Sequence, residues 1–254
     1  MALTYMGVVN ELLSEMNEVL LTSSTFASAT NIQRHTKEAV MKAYLDINNP
    51  EFKWPWLQTA ASQNDYFGNT YIETVAGQRW YLLKDGSADF NSDYGHVDWN
   101  NFQLTEEGVA GKTAPYTIRN LHYIEIEEWK DHYLISESQD KSNTQVYGVP
   151  QRVIRNPDNR RFGLSPIPDE VYRIYFFAWD RPAEITLYND TLVLPDQYKQ
   201  VLLSRARYYT WQRKENVPQA QIALQEYEAG LKGMQQQELN PAPDSITDTR
   251  IRFV

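Results

Sequence analysis

Few residues in this sequence have the types and spacing that metal binding requires. His96 and Asp98 form a His-x-Asp pair that could hold a metal, and one predicted loop contains Asp85, Asp89 and Asp93. A lone His-x-Asp pair is frequent by chance, and the three aspartates lack the spacing of an EF-hand loop. We therefore predict that the protein binds no metal.

Catalytic constellations are equally sparse. Glycoside hydrolysis needs two carboxyl groups facing one bond. Glu125, Glu127 and Glu128 lie on a predicted strand, and Glu125 and Glu127 would share one of its faces, which is more typical of a solvated surface. The sequence has no Gly-rich phosphate loop with a lysine, no Gly-x-Ser-x-Gly elbow and no cysteine. We predict no catalytic residue, no cofactor and no enzymatic activity.

One basic cluster stands out, formed by Arg152, Arg155, Arg160 and Arg161. It is either a solvated hairpin with acidic neighbours or a surface that contacts DNA in a pore. The formal net charge of −9 argues against a protein that binds nucleic acid by neutralising phosphates. It does not argue against a channel through which DNA slides, where tight phosphate binding would be a drawback.

The end of the chain is a second candidate contact. Pro241 and Pro243 disconnect it from the preceding helical pattern, and the last residues alternate polar and apolar side chains. Such a segment can add as a strand to a partner or insert apolar side chains into pockets, or it can be a frayed terminus. The partner-contact residues would be Arg250, Ile251, Arg252, Phe253 and Val254.

Helical periodicity marks both ends of the chain. Apolar residues at spacings of three and four predict a helix over about residues 5–21, and a second helix follows to about residue 48. Near the other end, Pro195 and Pro218 each open a predicted helix, the second ending near residue 238. Each helix pair is amphipathic and needs a partner surface.

Between the helices, residues 68–179 carry strand signals. We predict a hairpin turn at Ala76-Gly77-Gln78, a strand over residues 121–129 and an edge strand interrupted by Pro150. Residues 170–179 are apolar on both faces, which is typical of a central strand. Residues 91–117 have little periodicity and are predicted to form a long excursion.

These elements predict an α+β fold, in which the N- and C-terminal helix pairs form a helical bundle with an inserted, mostly antiparallel β-domain. The bundle would comprise residues 1–60 and 190–238, the β-rich domain residues 61–189, and an extended tail residues 239–254. Trp54-Pro55-Trp56 would plug the core between helices and sheet, or form a ligand-stacking platform. No run approaches the ~18 apolar residues needed to span a bilayer, so we predict no membrane contact.

The order of the motifs resembles head-to-tail adaptor proteins of tailed bacteriophages, the tail tubular protein A-like group. As in those proteins, a helical hairpin comes first and a tyrosine-bearing helix comes last. The motifs between them follow in this order: Lys53-Trp54-Pro55-Trp56, Val75-Ala76-Gly77-Gln78 with Tyr81, Gly148-Val149-Pro150, residues 164–169, the aromatic strand over residues 170–179 and Leu194-Pro195.

The resemblance implies a structural ring, usually of twelve copies, between the portal and the tail tube or nozzle of the virion. The terminal helices and tail would face the portal and the β-domain the tail, while double-stranded DNA passes transiently and without sequence specificity. Assembly would take place in the host cytoplasm. Residues 91–117 would be extra material relative to shorter members, which leaves the tail-side partner open.

A second class of function stays open, a carbohydrate- or ligand-binding β-module of a virion or a secreted assembly. Seventeen tyrosines and seven tryptophans suit such a module as well as an interface. Helices at both ends of the chain disfavour it, because such modules are usually all-β sandwiches.

Overall fold

A computed structural model describes residues 3–58, 71–83, 94–107, 109–113, 115, 117–134, 147–158 and 160–239. Within these residues the protein is α+β, as predicted, with five α-helices and ten strands in mostly antiparallel sheets. The chain divides into two compact units, one formed by Met1–Trp56 with Pro182–Val254 and the other by Leu57–Arg181.

Four of the five helices belong to the first unit. The described helices are α1 (Tyr5–Glu15), α2 (Asn31–Ile47), α3 (Ile126–Trp129), α4 (Lys199–Arg213) and α5 (Val217–Glu238), and α3 alone among them lies in the second unit. Helix α2 packs against α1 and α4, and α4 packs against α5. The sides that face one another are apolar, with Val8, Val40 and Leu202 fully buried. Each helix therefore buries the apolar stripe of its neighbour.

Helix α1 ends earlier than its apolar pattern predicts. It stops at Glu15, and Asn17 takes a left-handed backbone conformation with φ 56°. Leu21 still reaches the core because the Asn10 amide donates to its carbonyl and accepts its N–H, both at 2.8 Å. The pattern was misleading because Leu20 continues the helical spacing from an exposed loop.

Trp54 fills the core of the first unit. Its side chain is fully buried, its Nε1–H donates to the Ile47 carbonyl at 2.6 Å, and its ring stacks on Trp56 with centroids 4.9 Å apart. Trp56 in turn donates to Asn48 Oδ1 at 2.9 Å. The interpretation as a ligand platform is therefore wrong for Trp54, since no face of this ring is open.

The described residues of the second unit form three sheets. The strands are β1 (Tyr71–Glu73), β2 (Trp80–Leu82), β3 (Tyr94–Val97), β4 (Gln103–Thr105), β5 (Ile118–Asn120), β6 (His122–Glu125), β7 (Arg152–Arg155), β8 (Arg161–Ser165), β9 (Arg173–Tyr175) and β10 (Ala178–Asp180). Their orders are β1-β9-β4-β5, β10-β3 and β2-β8-β7-β6, and every described pairing is antiparallel except β6 with β7.

Aromatic rings form the centre of this unit. Phe102 stacks on Phe176 at 5.0 Å and contacts Phe162 at 5.5 Å, and all three are buried. Leu104, Val153 and Ile174 complete the same cluster from three different strands. Much of the aromatic content of the sheet is thus core, which removes one argument for a ligand-binding β-module.

The predicted hairpin around Gly77 and the predicted edge position of β7 are both wrong. The turn at Gly77 exists, with φ 81° and the Gln78 N–H bonded to the Val75 carbonyl at 3.0 Å, but β1 and β2 enter different sheets and form no hairpin. Strand β7 lies between β6 and β8 rather than at an edge, because Pro150 precedes the strand and removes none of its ladder bonds.

Three further segments depart from their predicted form. The central strand predicted over residues 170–179 is divided into β9 and β10, which belong to different sheets. The strand predicted over 121–129 ends at Glu125, and α3 follows. The described part of residues 91–117 contains β3 and the inner strand β4, whose Leu104 and Thr105 are fully buried, so it contributes to the core.

Candidate functional site

The residues considered for metal binding do not converge. His96 lies on β3 against the Trp179 ring at 5.5 Å, and Asp98 uses its Oδ1 to accept the Asn100 N–H at 3.2 Å. Among the described residues, no group of three or more His, Cys, Asp or Glu could hold a metal ion. The loop aspartates Asp85, Asp89 and Asp93 lie outside those residues.

The three glutamates are also separated. Glu125 ends β6, whereas Glu127 and Glu128 lie in the first turn of α3, so the predicted common strand face does not exist. Glu125 accepts the Tyr123 hydroxyl and lies 4.0 Å from Arg155 Nη1. Burial, followed by this hydrogen bond, raises the pKa of Tyr123. The group is an ion-pair and hydrogen-bond cluster, without two carboxyl groups facing a common cleft.

Strand β7 places Arg152 and Arg155 on opposite faces of its sheet. Val153 points into the main core, while Ile154 packs with Trp129 of α3 on the other side. Arg152 lies over the Tyr133 ring at 4.3 Å, on the α3 side, and Arg155 lies over Trp99 at 5.7 Å, on the core side. Strand alternation therefore splits this pair.

Arg160 and Arg161 occupy the turn before β8 and the start of that strand. Asp158 Oδ1 accepts both of their N–H groups, at 2.9 and 3.2 Å, and so fixes the turn. The Arg161 side chain is 57% exposed, with its Nε 4.0 Å from Asp158 Oδ2. The four arginines thus occupy two sheet faces and one turn, and their contact with DNA stays a prediction.

An arginine–aromatic stack lies on the α3 side of the β2-β8-β7-β6 sheet, opposite the main core. The Arg79 guanidinium lies over Trp129 at 4.8 Å, and Trp80 meets the same ring edge-on at 6.2 Å. Trp80 pairs with Gly163 across the ladder, and its ring occupies the space that a Cβ at Gly163 would need. This stack was not predictable from the sequence, because it depends on strand register.

Charged residues in the first unit join the N-terminal helices to the C-terminal ones. Asp46 of α2 accepts from Arg205 Nε at 2.7 Å and from the Tyr209 hydroxyl, both on α4. Burial, then the hydrogen bond to Asp46, raises the pKa of Tyr209 to about 12. The Glu15 carboxylate of α1 accepts a bidentate pair of hydrogen bonds from the Arg207 guanidinium, at 2.7 and 2.6 Å. The sequence did not reveal these pairs, since their partners lie far apart along the chain.

Two small cavities, of about 270 and 230 Å³, open beside α2 and α4. Both are lined by His35, Tyr209 and Arg213, and Lys214 lines the larger. The nearest polar contact of His35 Nδ1 is Glu38 Oε2, at 3.6 Å. These side chains do not pair a nucleophile with a general base, and each lining combines two cationic side chains with polar and apolar ones.

The terminal residues Arg250, Ile251, Arg252, Phe253 and Val254 lie outside the described residues. Their contact with a partner stays a prediction.

In the described part of the chain, charged groups form ion pairs between helices and stacks on aromatic rings and do not converge on a reaction centre. The chain belongs to the SU10 adaptor protein family, whose model matches residues 13–247. This is a family of phage head-to-tail adaptors, so the predicted resemblance is confirmed.

Membership of this family implies a structural component of the neck of a bacteriophage virion. No individual curated protein matches the chain. None of the described helices is long and apolar enough to cross a bilayer.

Proposed function

We propose that this protein forms a homo-oligomeric ring of twelve copies that connects the portal to the tail and lines part of the DNA channel. The observation that carries the proposal is the match of the adaptor family over residues 13–247, which includes α2, α4, α5 and the β-strands between α2 and α4. Ring and channel are the parts of the proposal that go beyond family membership.

The proposed subunit is a bundle of residues 1–60 and 190–238, an inserted β-domain of residues 61–189 and an extended tail of residues 239–254. Ion pairs between α2 and α4 and between α1 and α4 support a bundle built from both ends of the chain. The bundle and the tail would face the portal, with Arg250, Ile251, Arg252, Phe253 and Val254 ordered on a neighbouring subunit or on the portal. The β-domain would bind the tail nozzle or tail tube protein.

Double-stranded DNA would pass through the ring without being held. Arg152, Arg155, Arg160 and Arg161 are the proposed contacts, and the chain as a whole is acidic, with a formal net charge of −9. A few cations in an acidic channel give weak, sequence-independent attraction, because affinity grows with the number of phosphates that are neutralised. The ring needs no cofactor, metal or catalytic residue for this role, and it would assemble in the host cytoplasm.

Electron microscopy of reconstituted complexes tests the proposal. The purified protein is mixed with the portal protein of the same phage, and class averages are compared with those of the portal alone. We expect an added ring on one face of the portal with twelvefold symmetry. A mixture in which the protein stays unbound at all ratios, or binds as isolated copies, would contradict the proposal.

The ligand-binding β-module is the weaker candidate. Its aromatic argument weakens because Phe102, Phe162 and Phe176 of the β-rich unit are all buried.

A further inference from the structure

The β1-β9-β4-β5 sheet ends in two strands that each pair on one side only among the described residues. All three residues of β5 are exposed, with Ile118 at 52%, and Tyr71 on β1 is 38% exposed. Unpaired strand edges of this kind are templates for pairing with another chain.

Backbone hydrogen bonds show which groups face these edges. The Thr74 N–H donates to the Tyr172 carbonyl at 2.8 Å, and hydrogen-bonded pairs alternate along an antiparallel ladder. Ile72 therefore bonds toward β9, which leaves the N–H and C=O of Tyr71 and Glu73 directed at the open edge.

The same reasoning applies to the opposite edge. The Leu121 N–H donates to the Phe102 carbonyl at 2.8 Å. Arg119 therefore bonds toward β4, and the backbone groups of Ile118 and Asn120 point outward. Each edge thus presents two residues with outward donors and acceptors.

We propose that β5 of one copy pairs with β1 of the next, so that the sheet continues from subunit to subunit around the ring. The inference rests on the proposed ring. Because the three pairings within the sheet are all antiparallel, β1 and β5 run in opposite directions. A second copy placed head to tail then continues the sheet with antiparallel pairing, and heterologous contacts of this kind form a ring when the rotation between copies closes.

Charge disfavours the pairing of two identical β5 edges. Two β5 strands in full register would bring Arg119 against Arg119, whereas the head-to-tail contact places Arg119 opposite an uncharged residue of the neighbour. Like charges on directly opposed strands are destabilising. In the register that pairs all three residues, Arg119 lies opposite Ile72 of the neighbour.

That register gives a direct test, because the chain contains no cysteine. Arg119 and Ile72 of the neighbour would form a non-hydrogen-bonded pair with Cα atoms about 4.5 Å apart, within disulfide range. Within one copy the two edges are separated by three strand spacings, roughly 14 Å, too far for a disulfide. The R119C/I72C double variant, assembled on the portal and oxidised, should give a ladder of covalent multimers.

Three matched variants serve as controls. Neither single variant, R119C or I72C, should give a ladder, because a disulfide between two copies of the same residue can form only if two identical edge strands pair. R119C/E73C moves one thiol to the opposite sheet face and should cross-link far less. A dimer band from R119C alone would show pairing of two β5 edges and overturn the proposal.

A further variant tests the backbone hydrogen bonds between β5 and β1 of the neighbour. Ile118→Pro removes an outward N–H and no bond to β4, so the unfolding temperature of the subunit should change little while ring assembly falls at least tenfold. Rings that form on the portal without a disulfide ladder, or that tolerate Ile118→Pro, would refute the continuous sheet and leave the adaptor function standing. If the parent protein neither forms rings nor binds the portal, the adaptor function fails as well.

Discussion

At the scale of single residues, Asp46 has the most consequential polar role in the first unit. Its carboxylate accepts from Arg205 and Tyr209, and the Arg205 guanidinium also lies 4.8 Å from the Tyr209 and Tyr227 rings. The side chains of Asp46 and Arg205 are 35% and 20% exposed, so the pair is only partly screened by water. Its energy should therefore exceed that of an ordinary surface ion pair.

We expect Asp46→Ala to lower the free energy of unfolding by about 1–2 kcal/mol, because it leaves Arg205 and the Tyr209 hydroxyl without their acceptor. The control is Glu38→Ala on the same helix, whose partners Arg34 and Arg213 are 69% and 58% exposed. That change should cost less than about 0.5–1 kcal/mol. Urea unfolding of both variants measures the difference, and equal losses would contradict the argument.

Tyr209 gives this cluster a pH dependence with a defined sign. Its pKa is about 12 in the folded protein, against about 10 for an unfolded tyrosine. The folded state therefore holds the phenolic proton more tightly, and the stabilisation is complete below pH 10 and lost as the pH rises from about 10 to about 12.

We expect the difference in unfolding free energy between the parent protein and Tyr209→Phe to be constant from pH 7 to 9 and to shrink above pH 10. Ionisation of the other tyrosines and lysines is common to both proteins and cancels in the comparison. Urea unfolding at pH 7, 9, 10 and 11 measures it. A difference that grows between pH 9 and 11 would show that Tyr209 is not the group responsible.

At the scale of elements, close packing of β8 against β2 depends on a missing side chain. A Cβ at Gly163 would lie 2.9 Å from the Trp80 ring, and that ring is held edge-on against Trp129 of α3. The sheet and the helix are thus joined through one aromatic side chain that fills the space above a glycine.

We expect Gly163→Ala to destabilise the protein by about 1–3 kcal/mol, because the added methyl group displaces Trp80. Gly233→Ala on α5 is the matched control, since nothing lies within 4 Å of its added Cβ. There the same change should stabilise by about 0.5–1 kcal/mol, as alanine replaces glycine inside a helix. Thermal unfolding distinguishes the two signs, and a stable Gly163→Ala variant would refute the packing argument.

At the scale of the whole molecule, the proposed adaptor depends on a tail that leaves its own subunit. Burying Ile251 and Phe253 in a partner is worth roughly 3–6 kcal/mol before ordering costs, which could cancel most of it in one copy. A ring repeats the contact in every subunit, so a modest gain per copy becomes a strong collective one.

We expect deletion of residues 249–254 to leave the unfolding temperature of the isolated subunit unchanged and to weaken assembly on the portal at least tenfold. A matched variant, Ile251→Ser with Phe253→Ser, keeps the length of the tail and should show the same loss. Sedimentation of portal mixtures measures assembly. Full assembly of the truncated protein would favour a frayed terminus.

Much of the helical architecture was predictable, and much of the sheet architecture was not. The pattern of α2 gave its position to within a few residues, because a helix is stabilised by neighbours three and four residues away. The residues of the aromatic strand were recognised as buried, yet their division between two sheets was not foreseen. Strand pairing joins residues that are distant in sequence, such as Tyr71 with Tyr175, and one chain carries no record of that register.

The sequence by itself determined the α+β class, the order of its helical and strand-rich regions, and the adaptor family, because these follow from local periodicity and from the succession of motifs. The tertiary structure alone decided that Arg152 and Arg155 point to opposite faces and that Asp46 meets Arg205. It also decided that β1 and β5 lie at the two edges of one sheet. These relations arise from contacts between residues far apart in the chain, whose energies favour one pairing only after the whole core has packed.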